Sequence, residues 1–288
     1  MSHPLLQRLV IDRPPGEYLR SVGGVFAEFG VSTQDSGNIS YGVQVGDSRY
    51  FVKTAGLVDD PLPVPDHAGR VALLRNTIRL NASVTHSALP PLLGVIESPD
   101  GPLLVYPWID GELLGVPREQ RDDPRSALQR FRHLPPSEIL RCLDAVFDLH
   151  TSLAHAGWVA VDFYDGSLLY DFAAGRMWVV DLDMYQDGPF HNGMGEMFGS
   201  SRFKAPEESE LDALIDEQTT VFVMGRTALV FLSDGTLDPD AFRGPHALFE
   251  VVAQACQPDR ARRFASMATF QNAWRVAQGV WLPAPAPV

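Results

Sequence analysis

Nowhere in the 288 residues do eighteen apolar positions run together, so no segment is expected to cross a bilayer as a helix and no membrane partner is expected. Cysteine is nearly missing. Cys142 and Cys256 are the only two, far apart and each set in an apolar helical pattern, which predicts buried free thiols in a cytoplasmic protein rather than a disulfide scaffold. The opening Met1-Ser2-His3-Pro4 lacks the basic-then-apolar succession of a secretion signal. Basic charge is short too: 23 Lys and Arg against 36 Asp and Glu leave a formal net charge of −13. That argues against a nucleic-acid partner, which needs a basic surface. An acidic surface would favour cationic partners or serve solubility alone. Internal repeats are also missing. What remains, 45% hydrophobic and 20% charged residues, suits a globular chain with a large core, built as one two-lobed unit or as two domains.

Residues 1–20 read as an N-terminal extension. From Val25 to Val52 the pattern is β, with Gly46-Asp47 as a hairpin turn. A Pro- and Asp-rich loop follows, then a short helix carried by Val71, Leu74, Ile78 and Leu80. Residues 92–96 and 103–106 predict a second hairpin around Pro99-Asp100-Gly101. Residues 117–133, rich in Arg and Asp, read as an exposed connection or mobile helix. Pro135-Pro136-Ser137-Glu138 then opens a long helix that stops at Gly157. Two short strands, 167–170 and 177–180, are joined by Ala174-Gly175, and helices are predicted over 208–215, 219–232, 247–256 and 263–277. A β-rich first third and a helical remainder make the expected class α+β, with a small lobe over 21–107, a larger one over 108–280, and a disordered Pro/Ala tail over 281–288.

Four segments carry the chemistry: Tyr50-Phe51-Val52-Lys53, Val161-Asp162-Phe163, Val179-Val180-Asp181-Leu182-Asp183, and Lys204-Ala205-Pro206-Glu207. A strand lysine, a loop aspartate, an aspartate after an apolar strand and Ala-Pro-Glu, in that order, form a phosphoryl-transfer layout. The order and spacing resemble the protein kinase family from about Gly24 to Ala277. The resemblance implies a two-lobed protein kinase-like fold and the cofactors ATP and Mg²⁺. It implies that Lys53 holds nucleotide phosphates, that Asp162 faces the acceptor hydroxyl, and that Asp181 holds Mg²⁺ with Ser167. Asp183 is either a further metal ligand or a solvated loop residue. The loop around Ser36, Gly37, Asn38 and Ser40 would cover the phosphates; its Gly-Asn-x-Ser character is similar to that of aminoglycoside and choline phosphotransferases. The Tyr106 carbonyl and the Trp108 N–H would bond adenine. Glu207 would pair with Arg263 to anchor the segment that positions a peptide.

The chain departs from the family at several positions. No acidic residue lies between Asp66 and Glu97, so the helix glutamate that pairs with the strand lysine is missing, and Asn76 or Thr77 falls in its place. Ala160-Val161 replaces His-Arg, Tyr164 replaces the catalytic-loop lysine, and Thr220 replaces the aspartate that anchors that loop. Three readings follow from the residues. One is an ATP- and Mg²⁺-dependent kinase acting on Ser or Thr of a protein substrate, which Ala-Pro-Glu favours. Another is a phosphotransferase of the same fold acting on an amino-sugar or alcohol. The last is a pseudokinase that binds nucleotide without turnover.

Overall fold

The computed structural model describes residues 3–30, 36–59 and 65–279; the start of the loop expected to cover the phosphates, part of the Pro- and Asp-rich loop and the tail over 281–288 lie outside them. The chain is mixed α/β and divides into two compact units, Met1–Thr85 with Pro90–Asp110, and His86–Leu89 with Gly111–Val288. The expected cut after residue 107 thus falls three residues later, and a short segment before β4 joins the second unit.

In the first unit, α1 (Pro15–Val22) leads into β1 (Gly24–Phe29), β2 (Ile39–Val45) and β3 (Ser48–Thr54). Then come α2 (His67–Ser83), β4 (Gly94–Ser98) and β5 (Gly101–Pro107). The strands form an antiparallel sheet in the order β1-β2-β3-β5-β4. Alternation sorts its side chains. Tyr41, Val43, Tyr50, Val52, Ile96, Leu103 and Val105 pack against Leu5, Ile11, Tyr18 and Leu19 in one buried cluster. Residues 3–20, expected as part of an N-terminal extension, therefore belong to the packed unit. They supply the cover of one sheet face, and Ile11 N–H donates to the Glu97 carbonyl (2.8 Å) along the β4 edge, pairing a strand edge that would otherwise be bare. On the opposite face α2 packs through Leu74 on Ala55 and Leu104. Lys53 pairs in register with Ser40 and Leu104, so it belongs to this second face. The helix is longer than its apolar pattern predicts because the Asp66 carboxylate accepts the Gly69 N–H at 2.8 Å and caps its start.

The second unit begins with β6 (Glu112–Leu113), α3 (Ala127–Arg132) and α4 (Pro136–His155). The stretch expected as an exposed connection or mobile helix does contain a helix, α3, but one that buries Leu128 and Phe131; its charges mask two apolar anchors. β7 (Trp158–Val159), β8 (Leu168–Asp171), β9 (Arg176–Val179), β10 (Gln186–Asp187), β11 (Phe190–His191) and β12 (Leu214–Ile215) follow. The last helices are α5 (Glu217–Leu232), α6 (His246–Ala255) and α7 (Met267–Gly279). Phe147 of α4 meets Phe270 and Trp274 of α7 edge-on at 5.1 and 5.0 Å between ring centroids, while α5 is buried on most of its circumference. One helix expectation fails here and another shifts its start. Residues 208–215 form a 3₁₀ turn, Pro206–Ser209, and then β12. Asp212, at φ +61°, turns the chain left-handed, which a helix excludes. The last helix starts at Met267, because Arg263 is extended (φ −75°, ψ 174°). No helix among the described residues is long and apolar enough to cross a membrane.

Candidate functional site

Asp162 and Asp181 share an unusual backbone. Their φ angles are +58° and +60°, and with Asp212 they are the non-glycine residues at positive φ among the described ones. That conformation costs an L-residue roughly 1–2 kcal/mol, and Asp tolerates it better than most. Each aspartate follows a strand, β7 or β9, and is turned out of it by that left-handed step.

The two loops are tied together. The Val180 N–H donates to the Ser167 carbonyl (2.9 Å), which extends the β8–β9 hairpin and brings the end of the Asp162 loop beside Asp181. His150, fully buried on α4, joins them from below. Its Nδ1–H donates to the Val146 carbonyl, its ring meets Phe163 edge-on, and Nε2 lies 2.7 Å from the Tyr185 hydroxyl. Burial pushes the imidazole pKa down to about 4, so the ring is neutral; with its one proton facing a carbonyl, Nε2 accepts the phenol proton. Burial raises the Tyr185 phenol well above its ordinary value, and the negative charge of Asp162 adds to that.

The loop also has an anchor that was expected to be lost. The Thr220 hydroxyl of α5 accepts the Ala160 N–H at 3.1 Å. A hydroxyl suffices here, because the group to be satisfied is a neutral backbone donor.

Two carboxylates near Asp162 were not foreseen as part of the site. Asp165 is buried and ion-paired with Arg202. Burial raises its pKa, and Arg202 and Arg121 only partly offset this. Glu208 accepts the Ala205 N–H at 2.7 Å, and burial pushes its pKa up to about 7.

Lys204 was also missed as a site residue. It donates to the Glu196 carboxylate and to the Met197 carbonyl, the latter at 3.0 Å. A side chain added at Gly199, itself at φ +110°, would meet Asp162 Oδ1 at 3.3 Å and Lys204 Cγ at 3.8 Å. Lys204 thus lies across Gly199 from Asp162. A signal for it existed: Lys53 and Lys204 are the only two lysines in the sequence, all other basic side chains besides histidine being Arg.

Glu207 and Arg263 form a buried bidentate pair, Nη1–Oε1 2.6 Å and Nη2–Oε2 2.9 Å. Arg260 adds a bond to the same carboxylate at 3.0 Å, and the Thr219 hydroxyl donates to it at 2.9 Å. Burial pulls the Glu207 pKa up, but these donors outweigh it and hold the carboxyl below its ordinary value.

In the first unit, Gly37 adopts φ +75° and its carbonyl lies where a Gly56 side chain would be, 2.0 Å from an added Cβ. Asn38 and Ser40 are buried, and Ser36 Oγ accepts the Asn38 N–H at 3.4 Å. Arg70 of α2, also buried, packs on Gly37. Its guanidinium donates to the carbonyls of Ala55 (2.7 Å), Leu57 (2.8 Å) and Pro65 (3.0 Å), locking the loop after Lys53 to the Gly37 turn. At the expected place of the helix glutamate, Asn76 accepts from Arg79 at 2.7 Å, and the Thr77 hydroxyl donates to the Leu73 carbonyl at 3.2 Å.

The expected role of Trp108 is overturned. Its backbone N–H donates to the Arg49 carbonyl at 3.0 Å, so it is not available to adenine. This continues the antiparallel β3–β5 ladder one pair beyond Tyr50 and Pro107; Pro107 itself stands at a non-hydrogen-bonded position, where its missing N–H costs the β3 ladder nothing.

Among the described residues no group of three or more His, Cys, Asp or Glu side chains could hold a metal ion, which excludes a metal cage of such side chains there. Asp181, Asp183 and the Ser167 hydroxyl are hard oxygen donors at neighbouring loop ends. That sparse set matches Mg²⁺, which takes one or two carboxylates and completes its shell with phosphate and water. No protein-family model and no curated protein matches this chain.

Proposed function

We propose that this chain is an ATP- and Mg²⁺-dependent phosphotransferase, that its two units are the lobes of a protein kinase-like fold, and that it transfers the γ-phosphate to a Ser or Thr hydroxyl of a protein. The observation that carries the reading is the pair Asp162 and Asp181, both at left-handed φ, on loops tied by the Ser167–Val180 bond and the His150–Tyr185 bond. Backbone held in a sparsely populated region concentrates at functional sites. The buried Glu207–Arg263 pair supports a protein acceptor, because it fixes the base of the segment that would lie along a peptide.

In this reading Asp162 orients the acceptor hydroxyl and takes its proton. Asp181, with Ser167, holds the metal, which when bound would neutralise phosphate charge. Lys53 binds phosphate oxygens. His150 and Tyr185, as a neutral buried pair, keep the two aspartate loops in register. Catalysis is then positioning and charge neutralisation, with no covalent step on the protein.

The scarcity of lysine makes a direct test possible. A lysine-acylating acyl-phosphate of ATP, followed by peptide mass spectrometry, should modify Lys53 and be blocked by excess Mg·ATP. Radiolabelled ATP incubated with a cell extract should label protein; Asp162→Asn should abolish transfer and spare Mg·ATP binding, while Asp181→Ala should weaken binding itself. Failure of wild-type protein to bind Mg·ATP would refute the reading, and binding without any transfer would leave only a nucleotide-binding module.

A further inference from the structure

The sheet face that carries Lys53 also carries an aromatic shelf. The β1–β2 register shifts between Val25 and Ala27, and this bulge re-aims Phe26 over Gly42. The Phe26 and Trp108 rings meet edge-on at 4.8 Å, Phe29 stacks on Trp108 at 6.3 Å, and Phe51 lies 6.2 Å from Phe29. Gly42 makes room for them, since an added Cβ would come within 2.7 Å of Phe26 and 2.9 Å of Trp108. Phe26 is 46% exposed and the other three rings are half-buried.

The indole is fixed in place. Its backbone N–H serves the Arg49 carbonyl, its Nε1–H donates to Asp110 at 3.0 Å, and Arg49 Nη1 donates to the same Asp110 oxygen at 2.9 Å. Both Trp108 donors are therefore spent, and since Phe29 stacks on one side of the ring, what the indole can offer a ligand is the π-surface that Phe29 leaves uncovered. Phe51 and Lys53 sit two residues apart on one strand face, about 7 Å, so a flat ring lying on the shelf has a cation beside it for an attached phosphate.

We propose that the shelf of Phe26, Phe51 and Trp108 binds the nucleobase by stacking, and that the site therefore accepts nucleoside triphosphates with little regard to the base. This rests on the nucleotide reading above. Stacking is tolerant because every base has a π-face, whereas discrimination between bases needs edge hydrogen bonds, and the Trp108 N–H expected to make one is engaged in the sheet.

The test is calorimetric titration of the full chain with Mg·ATP, Mg·GTP and inorganic tripolyphosphate plus Mg²⁺. ATP and GTP should bind within about threefold of each other, and tripolyphosphate at least roughly tenfold more weakly. Phe26→Ala and Trp108→Ala should each reduce ATP affinity toward that of tripolyphosphate without changing tripolyphosphate binding. Trp108→Phe, which keeps a ring but loses the bond to Asp110, should stay near wild type; a merely structural indole would make it as poor as Trp108→Ala. Equal binding of ATP and tripolyphosphate, or a strong preference for ATP over GTP untouched by Phe26→Ala and Trp108→Ala, overturns the shelf and leaves the nucleotide reading intact. Absence of binding by all three probes overturns both.

Discussion

His150 accepts the phenol proton of Tyr185 across 2.7 Å in the interior of the second unit, and can do so only while the imidazole is neutral. Its pKa is depressed from 6.5 to about 4 by burial. The unfolded chain therefore binds the extra proton first as pH falls. The stability that goes with a neutral His150 is complete above pH 6.5 and drains away as pH drops toward 4, by about 3 kcal/mol in all. Glu208 works in the opposite sense. Its pKa is raised from 4.5 to about 7, so its contribution is complete below 4.5 and is lost as pH rises through 7. Denaturation measured between pH 4 and 8 should show His150→Asn with a flatter acid limb than wild type. Glu208→Gln should gain stability relative to wild type with rising pH. Parallel curves for all three proteins would contradict both assignments.

The Glu207–Arg263 pair is buried on both sides, at 6% and 0% side-chain exposure. Removing Arg263 leaves the buried Glu207 carboxylate with Arg260 and Thr219 on Oε1 and takes the Arg263 donor from Oε2, so Arg263→Met should destabilise the fold by up to about 3–5 kcal/mol. Adding Glu207→Leu to that variant should recover part of the loss, since no half-paired buried carboxylate then remains and Arg260 keeps Asp216. Chemical denaturation of the single and double variants decides this, and a double variant no better than the single would show that the pair does not act as a unit.

At Asp162 backbone and chemistry can be separated. Asn tolerates φ +58° nearly as well as Asp, Gly tolerates it freely, and Ala does not. Asp162→Asn should therefore melt close to wild type. Asp162→Ala should lose roughly 1 kcal/mol against the Asn variant, with Asp162→Gly less affected than Ala. An order in which Ala is the most stable of the three would argue that the left-handed step carries no strain.

Thr220→Val keeps the shape of the side chain and removes the acceptor for the Ala160 N–H. A buried donor without a partner costs about 1–3 kcal/mol. The expected result is a loss in that range with faster amide exchange at Ala160, and near wild-type behaviour for Thr220→Ser.

Much of the architecture can be read from local pattern. Period-two alternation marks β3, whose buried residues are Tyr50, Val52 and Thr54, and the apolar stripe from Ile139 to Leu153 marks α4, because each of these elements buries one face and its spacing records which; β2 and β5 instead bury four residues in a row. Where local and distant demands conflict, the pattern misleads. Residues 208–215 carry a Pro-led, acidic start that suits a helix, yet Leu214 and Ile215 pair with β11. The N-terminal segment shows no periodicity of its own, and Leu5 and Ile11 are buried only because the sheet face of Val43 and Val52 needs cover.

The order of Lys53, Asp162, Asp181 and Glu207, the acidic balance and the type of the strongly patterned elements belong to the sequence by itself, since they depend on residue identity and short-range spacing. The tertiary structure alone decided that the two aspartates stand at positive φ, that a threonine anchors their loop, that Lys204 lies one glycine from Asp162, and that the Trp108 N–H is taken by Arg49. Each of those depends on which distant backbone group comes within about 3 Å, and no local pattern records that.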